Sequence, residues 1–226
     1  SLEEDDMATG KIHWLPFRSR PAPERRGGFT LIELAFVLVI LGILVSMGAG
    51  LIPLLVNQNK LNESRAIVKE AKTAIIGYAL ATGRLPWAAA GTDGTETVNR
   101  RRGYLPHETL GIPGTDSYNS PLFYSVDPYL AASSTIEELK GRLVELINES
   151  HAPGLFCDGT SIRAAFVVIS PGKNREADAP NDDNNNGIVS QTGDDNQFAK
   201  PGDPQTSNYD DILDAVTLSY LLGRLE

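Results

Sequence analysis

The sequence predicts an α+β protein in which a long N-terminal helix, half transmembrane and half amphipathic, packs on a small antiparallel sheet. The first observation is a run without any charged residue, from Leu34 to Val56. The second is an apolar stripe at helical spacing that follows this run. The third is a set of short β-branched and aromatic runs in the C-terminal half, of which residues 164–170 form the clearest strand.

The uncharged run is long enough to cross a membrane as a helix. At 1.5 Å per residue it spans about 35 Å, against roughly 30 Å for a bilayer core. A cleaved secretory signal has small residues after a shorter apolar core, whereas here Gly27 and Gly28 precede the run. We therefore predict a retained single-pass anchor. The N-terminus is predicted to be cytoplasmic, because basic residues also precede the run: Lys11, Arg18, Arg20, Arg25 and Arg26.

Glu33 lies at the start of the apolar segment. A carboxylate at the centre of a membrane helix costs about 2.5–3.5 kcal/mol. It costs less in the first helical turn, where the helix dipole favours negative charge. From physical chemistry alone, Glu33 is an interfacial glutamate at a helix start.

The segment GGFTLIEL, residues 27–34, together with the apolar run resembles the class III signal of type IV pilins and type II secretion pseudopilins. In that family a prepilin peptidase cuts after the glycine, here Gly28, and the new N-terminal residue, here Phe29, is methylated. Glu33 matches the family's glutamate. A paired buried charge is tolerated and an unpaired one is not, so the resemblance implies that Glu33 pairs with the Phe29 amine, in its own chain or in a neighbour, during assembly.

The resemblance also implies a structural function. The chain is expected to be a prepilin that enters the inner membrane and then a type IV pilus-like or type II secretion pseudopilus filament, in the periplasm or at the cell surface. The expected partners are other pilin or pseudopilin subunits, a prepilin peptidase, an inner-membrane assembly platform with its cytoplasmic ATPase, and membrane lipid. Two alternatives stay open: a minor tip pilin that binds a surface, DNA or a secreted substrate, and a membrane-anchored enzyme.

The amphipathic stripe repeats every seven residues, at Leu54, Leu61, Val68 and Ile75. It predicts that the helix continues from the membrane run to Thr82, where a Gly-Arg-Leu-Pro sequence ends it. The predicted segments are therefore a leader at 1–28, a transmembrane half-helix at 29–56, an amphipathic half-helix at 57–83, and a globular pilin-like domain at 84–226 with an Asp/Asn-rich loop at 173–211. Within the leader, residues 1–6 are set aside, because Met7 is a candidate initiator.

The later elements are predicted from shorter signals. In order, these are an irregular connection at 83–114, a strand at 121–126, a helix opened by a capping box at Ser134–Glu137 and running to about Asn148, a strand at 164–170, the acidic loop, and a closing strand at 212–225 that ends in a helical turn.

The loop sequence DDNNNGIV resembles the opening of an EF-hand calcium loop. In that register the ligands are Asp182, Asn184, Asn186 and Ile188. The position of the usual bidentate glutamate is Gly193, so an aspartate from elsewhere, such as Asp194, Asp195, Asp210 or Asp211, has to substitute. Major pseudopilins are similar in having calcium in a C-terminal loop, which favours calcium as a cofactor. The alternative is a solvated, flexible acidic loop.

Composition argues against several other functions. A net charge of −9 does not suit nucleic-acid binding, which needs clustered basic residues. The single cysteine, Cys157, excludes an internal disulfide and a cysteine-based zinc site, and it is expected to be a buried small apolar residue. His107 and His151 have no nucleophile or second ligand at a telling spacing. We therefore predict no enzymatic activity and no catalytic residues.

Overall fold

A computed structural model describes residues 28–49, 51–182, 187–189 and 197–226. The chain divides into two units, residues 1–49 and 50–226. The described residues form six helices and six strands, in the order α1 Leu31–Ala49, α2 Leu51–Thr82, β1 Arg102–Tyr104, α3 His107–Leu110, β2 Phe123–Val126, α4 Pro128–Ala131, α5 Ile136–Ile147, β3 Phe156–Cys157, β4 Ile162–Ser170, β5 Gln197–Phe198, β6 Ile212–Thr217 and α6 Leu218–Leu225. The α+β class is confirmed.

Most residues of the predicted stripe on α2 pack into the main hydrophobic core. Val68, Ala71 and Ile75 are buried, and Leu61 packs against the same cluster. Leu54, which shares the seven-residue spacing, is 57% exposed and does not reach the core. The helix ends after Thr82 as predicted, because Gly83 takes the left-handed conformation at φ 75° that favours glycine.

Strand β4 is the centre of the sheet. It pairs antiparallel with β2, β3 and β6, and β1 pairs antiparallel with β2. The expectation of a wholly antiparallel sheet is wrong in one place, because β3 and β5 pair in parallel through Phe156 and Gln197. Strand β4 and much of the acidic loop separate these two short strands in the chain, and a connection of that length allows a parallel crossover.

Both faces of β4 are buried, and this separates two hydrophobic clusters. Phe166 and Val168 face the main cluster with α2, α5 and α6. Val167 and Ile169 face a second cluster that includes Phe198 and Leu213. The second cluster also contains residues of the acidic loop, such as Ala177 and Phe198. The loop therefore packs against the end of β4 and the start of β6.

The helix at α5 begins one residue later than predicted. Thr135 is the N-cap residue, and its Oγ1 accepts a hydrogen bond from the N–H of Glu138 at 3.1 Å. The Glu138 carboxylate in turn accepts from the N–H of Ser134 at 2.8 Å. The sequence contains two overlapping Ser/Thr-x-x-Glu patterns, Ser134–Glu137 and Thr135–Glu138. The structure uses the second, in which the N–H groups of Glu138 and Ser134 both find a side-chain acceptor.

Two further predictions are corrected. The chain does not close with one strand and a single turn: β6 ends at Thr217, whose Oγ1 caps an eight-residue helix, α6. The connection at 83–114 is not wholly irregular, since it contains β1 and α3.

The His107 ring fills the space over Gly94 and Gly114, where any Cβ would lie within 2.5 Å of it.

Candidate functional site

Three carboxylates meet at the base of the acidic loop. Asp178, Asp210 and Asp211 each place a ligand oxygen within 4.8 Å of the others. Asp178 comes from the loop that follows β4, whereas Asp210 and Asp211 immediately precede β6. The antiparallel pairing of β4 with β6 therefore brings together groups that are more than thirty residues apart in the chain.

Backbone N–H groups donate to all three of these carboxylates. Asp210 Oδ2 accepts from the N–H groups of Lys173 and Asn174, at 2.9 and 3.0 Å. Asp178 Oδ2 accepts from the N–H of Asp210 at 2.8 Å. These bonds fix the segment after β4 against the segment before β6 without neutralising any charge.

Asp211 is the buried member of the group, with 2% of its surface exposed. Its Oδ2 accepts from the N–H of Asp178 at 3.0 Å and from Nδ2 of Asn181 at 2.7 Å. Burial raises the pKa of Asp211 to about 7, and the charges of Asp178 and Asp210 act in the same direction. Burial also raises the pKa of Asp210.

Two carboxylate oxygens of this group lack a hydrogen-bond donor. Asp210 Oδ1 and Asp211 Oδ1 are buried and accept from no donor among the described residues. A buried carboxylate oxygen without a donor is costly, and a hard cation is one kind of ligand that could satisfy it. The donor set consists of oxygen atoms, which suits calcium or magnesium and not a softer metal.

The predicted turn at Asp182 lies in the same loop but outside this group of three. Asp182 is buried, and its Oδ2 accepts from the N–H of Gly187 at 2.6 Å. Ile188 is exposed, and Asn184 and Asn186 lie outside the described residues. Of the predicted calcium ligands, the structure thus brings together Asp210 and Asp211, and it adds Asp178.

Asn181 is a residue that the sequence reasoning missed. It is buried, its Nδ2 donates to Asp211 Oδ2 and to the Tyr209 hydroxyl, and its Oδ1 accepts from the N–H of Ala199 at 2.9 Å. It therefore joins three separate stretches of chain. Its sequence context, Pro-Asn-Asp-Asp, predicts only a turn, so no local pattern marks this role.

The N-terminal helix α1 is a second candidate site. Thr30 caps it, with Oγ1 accepting from the N–H of Glu33 at 3.3 Å. Thr30 to Glu33 is a Thr-x-x-Glu pattern, a capping-box signal that was available in the sequence. Gly28 and Phe29 are exposed next to this cap, which leaves the peptide bond between them accessible.

The surface of α1 is exposed along its whole length within its own unit. Its large side chains are aliphatic or aromatic, and Glu33 is its one acidic residue, placed in the first turn. The Glu33 carboxylate forms no ion pair with any described residue. Among the described residues, one helical stretch, Leu31–Thr82, contains a window long and apolar enough to cross a membrane.

Residues 24–49 match the prokaryotic N-terminal methylation motif. This motif is the prepilin-type cleavage and methylation signal of type IV pilins and pseudopilins, so the resemblance predicted from GGFTLIEL is confirmed. It supports a type IV pilin- or pseudopilin-type protein and a single-pass N-terminal anchor. No curated protein and no solved structure matches the chain.

His107, His151 and Cys157 each pack or bond within the part of the chain that the structure describes. Nε2 of His107 lies 3.3 Å from the carbonyl oxygen of Thr92. His151 stacks on Tyr129 with 3.9 Å between ring centroids. Cys157 is fully buried, and burial raises the pKa of its thiol to about 12, which keeps it protonated and unreactive.

Proposed function

We propose that this chain is a structural subunit of a type IV pilus-like or type II secretion pseudopilus filament. The observation that carries the proposal is the prepilin-type motif at residues 24–49. The motif includes the whole of α1, an apolar helix that is exposed along its length. A helix with this surface has to be covered by lipid or by other apolar helices. A prepilin-type subunit uses both environments in succession: the inner membrane before assembly and the filament core after it.

The chemistry of the N-terminus follows from cleavage after Gly28. Hydrolysis of the Gly28–Phe29 peptide bond gives Phe29 an α-amine, and methylation leaves that nitrogen cationic. Glu33 lies four residues further on, in the first turn of α1, whereas Phe29 lies just before the Thr30 cap, so the two groups are close in the chain. The carboxylate then pairs with the amine of its own chain or of a neighbouring subunit. In an apolar core this pair favours the register in which every charge has a partner.

Topology and partners follow from the same segment. Basic residues before the apolar helix favour a cytoplasmic leader and a domain on the periplasmic side. The motif implies processing by a prepilin peptidase and assembly with other pilin subunits. An inner-membrane platform and a cytoplasmic ATPase complete the proposed machinery.

The test of this proposal is N-terminal sequencing of the mature protein from cells that carry a prepilin peptidase. We expect Phe29 as the first residue, in methylated form. Gly28→Leu should leave the chain uncut, whereas Gly27→Ala, the matched change one residue earlier, should allow cleavage. A mature chain that begins at another residue, or Gly28→Leu protein that is still cut at Phe29, would refute the proposal.

A minor tip subunit is the second candidate. Such a subunit binds a surface, a nucleic acid or a secreted substrate, which requires an exposed aromatic or basic surface. One surface of this kind lies between α2 and α6, where basic residues line a groove beside the exposed Tyr220.

We further propose that the acidic loop binds calcium. The proposal is supported by the three converging carboxylates and by the buried oxygens of Asp210 and Asp211 that no hydrogen-bond donor satisfies. Asp178, Asp210 and Asp211 would hold the ion, which supplies positive charge where burial and mutual repulsion disfavour three carboxylates. Residues of the Asp182–Ile188 turn are close enough in sequence to Asp178 to complete the oxygen shell.

A further inference from the structure

A basic groove lies between α2 and α6, on a protein of net charge −9. Its volume is about 290 Å³, and all the charged residues that line it are basic: Lys69, Lys72 and Arg224. Leu80 and Tyr220 form its apolar walls and are 39% and 50% exposed. The groove thus combines apolar walls with a charge opposite to that of the whole chain.

Among the described residues, one of the three cations of this groove forms an ion pair. Lys72 binds both carboxylate oxygens of Asp214, at 2.9 and 3.0 Å. Lys69 and Arg224 form no ion pair with any residue in the part of the chain that the structure describes. Gly77 also lines the groove, and apart from the adjacent backbone of its own helix no described atom lies within 4 Å of the position where its Cβ would be. The groove is therefore open to another segment at its centre.

The outer face of α5 has complementary features. Glu137, Gly141, Val144 and Glu145 share one side of the helix at i, i+4, i+7 and i+8 spacing. Val144 is 42% exposed, and Gly141 has open space around its Cβ position. This face lies opposite the buried positions of α5, which are Leu139, Leu143 and Leu146.

The charges on this face are available for a partner. Glu137 forms no ion pair with a described residue. Glu145 accepts a hydrogen bond from the Tyr129 hydroxyl, a neutral donor that leaves its negative charge in place. The face extends about 12 Å from Glu137 to Glu145, and the groove about 16 Å from Lys69 to Leu80, so their lengths are comparable.

We propose that the outer face of α5 in one subunit docks into the α2–α6 groove of a second copy of this chain, a contact that rests on the proposed filament function. Neither Gly77 nor Gly141 has a Cβ, which allows the two helix backbones to approach closely. Val144 then packs between Leu80 and Tyr220. Glu137 and Glu145 of α5 face Lys69 and Arg224.

The contact joins two different surfaces of the same chain. Such a heterologous contact leaves each subunit with one free groove and one free α5 face, so addition of copies continues without closing unless the rotation forms a ring. Because the charges lie at the rim of the contact, they favour the correct partner and the rate of encounter more than they add affinity.

The test is cysteine cross-linking in full-length chains, in cells that carry the assembly machinery. A chain with both Leu80→Cys and Val144→Cys should give a ladder of dimers, trimers and larger products. A mixture of the two single variants should give dimers and nothing larger, and each single variant alone should stay monomeric. The buried Cys157 does not react, and a Val98→Cys, Val144→Cys chain controls for exposure, since Val98 is 72% exposed outside the groove.

Sedimentable filaments and mature Phe29 termini are measured in the same cells, which separates this contact from the proposed function. Filaments without the Leu80–Val144 ladder would overturn the contact and leave the filament function standing. Absence of filaments with the wild-type chain would overturn both. Cross-links exclusively to other proteins would overturn the self-contact and favour a tip subunit that binds a different partner.

A charge exchange provides an independent check. Lys69→Glu with Arg224→Glu should reduce the ladder and the filament yield at least fivefold. Adding Glu137→Lys and Glu145→Lys to the same chain should restore both, because the attraction is reversed in sign on each side. Restoration would exclude simple misfolding as the cause of the first loss, and failure to restore a well-folded chain would contradict the pairing.

Discussion

Lys72 Nζ lies 2.9 Å from Oδ2 and 3.0 Å from Oδ1 of Asp214, so that one side chain of α2 binds both carboxylate oxygens on β6. The bond joins helix α2 to strand β6, which pairs with the central strand β4. The two side chains are 25% and 30% exposed, so solvent screens the pair and limits its contribution. The apolar contacts beneath it are therefore expected to dominate stability.

The first prediction concerns the residues that hold α2 on the sheet. Ile75→Ala should lower the free energy of unfolding by about 2–5 kcal/mol, because a fully buried side chain leaves a cavity. Lys72→Ala should cost about 1 kcal/mol or less. Urea titrations of the two variants measure both values. Equal losses would show that the ion pair contributes as much as the core contact, against this prediction.

The second prediction is that the domain folds without its apolar segment. A chain beginning at Asn57 keeps every buried residue of α2, since the residues of α2 from Ile52 to Asn59 are exposed. It should be soluble and melt cooperatively. A chain beginning at Ala74 removes Val68 and Ala71 from the core and should be molten or insoluble. Equivalent behaviour of the two chains would contradict the boundary.

The third prediction concerns Glu33. Glu33→Val removes a charge from the apolar helix, so membrane insertion should be equal or easier. Incorporation into filaments should fall at least tenfold when the variant competes with the wild-type chain. Glu33→Asp keeps the charge on a shorter side chain and should be incorporated into filaments at an intermediate level. Co-assembly of Glu33→Val at the wild-type level would exclude pairing with the Phe29 amine.

The fourth prediction is stabilisation by calcium. A ligand that binds the folded state alone stabilises it by about 2.7 kcal/mol at a hundredfold excess over Kd. Thermal unfolding with millimolar calcium should occur at a higher temperature than unfolding with a chelator. Asp178→Asn with Asp210→Asn should abolish the difference. Asp158→Asn, a matched change at an exposed aspartate whose side chain contacts none of the three, should preserve it.

The fifth prediction is a pH dependence in the metal-free protein. Burial raises the pKa of Asp211 from 3.8 to about 7 in the folded state. Between about pH 4 and pH 7 the folded chain therefore keeps a proton that the unfolded chain has lost, and this group's contribution to stability decreases as pH rises. Asp211→Asn cannot ionise. Its melting temperature relative to wild type should therefore increase from pH 5 to pH 8.

A constant difference in melting temperature across that range would show that Asp211 is already ionised when folded. Calcium should reverse the trend in the wild-type chain. Metal binding requires the ionised carboxylates and releases the proton, so calcium affinity should increase as pH rises through 7.

The sequence determined the parts of this protein that depend on local pattern. The signal residues Gly28, Phe29 and Glu33 lie within six consecutive positions. The apolar run after them is recognised from its own composition, without knowledge of what it contacts. The seven-residue spacing located the buried face of α2, and the apolar run at 164–170 located the central strand. Each of these features is repeated or adjacent in the chain, so a short window contains all of it.

Tertiary structure decided which distant residues meet. Asp178 and Asp211 are 33 residues apart, and they are brought together because β4 and β6 pair antiparallel on a packed second cluster. The EF-hand-like spacing predicted a calcium ligand at Asp182, whose Oδ2 accepts a hydrogen bond from the N–H of Gly187. The α2–α6 groove likewise depends on α6, which the sequence pattern reduced to a single turn. Burial and charge proximity are properties of packing, and a linear pattern does not contain them.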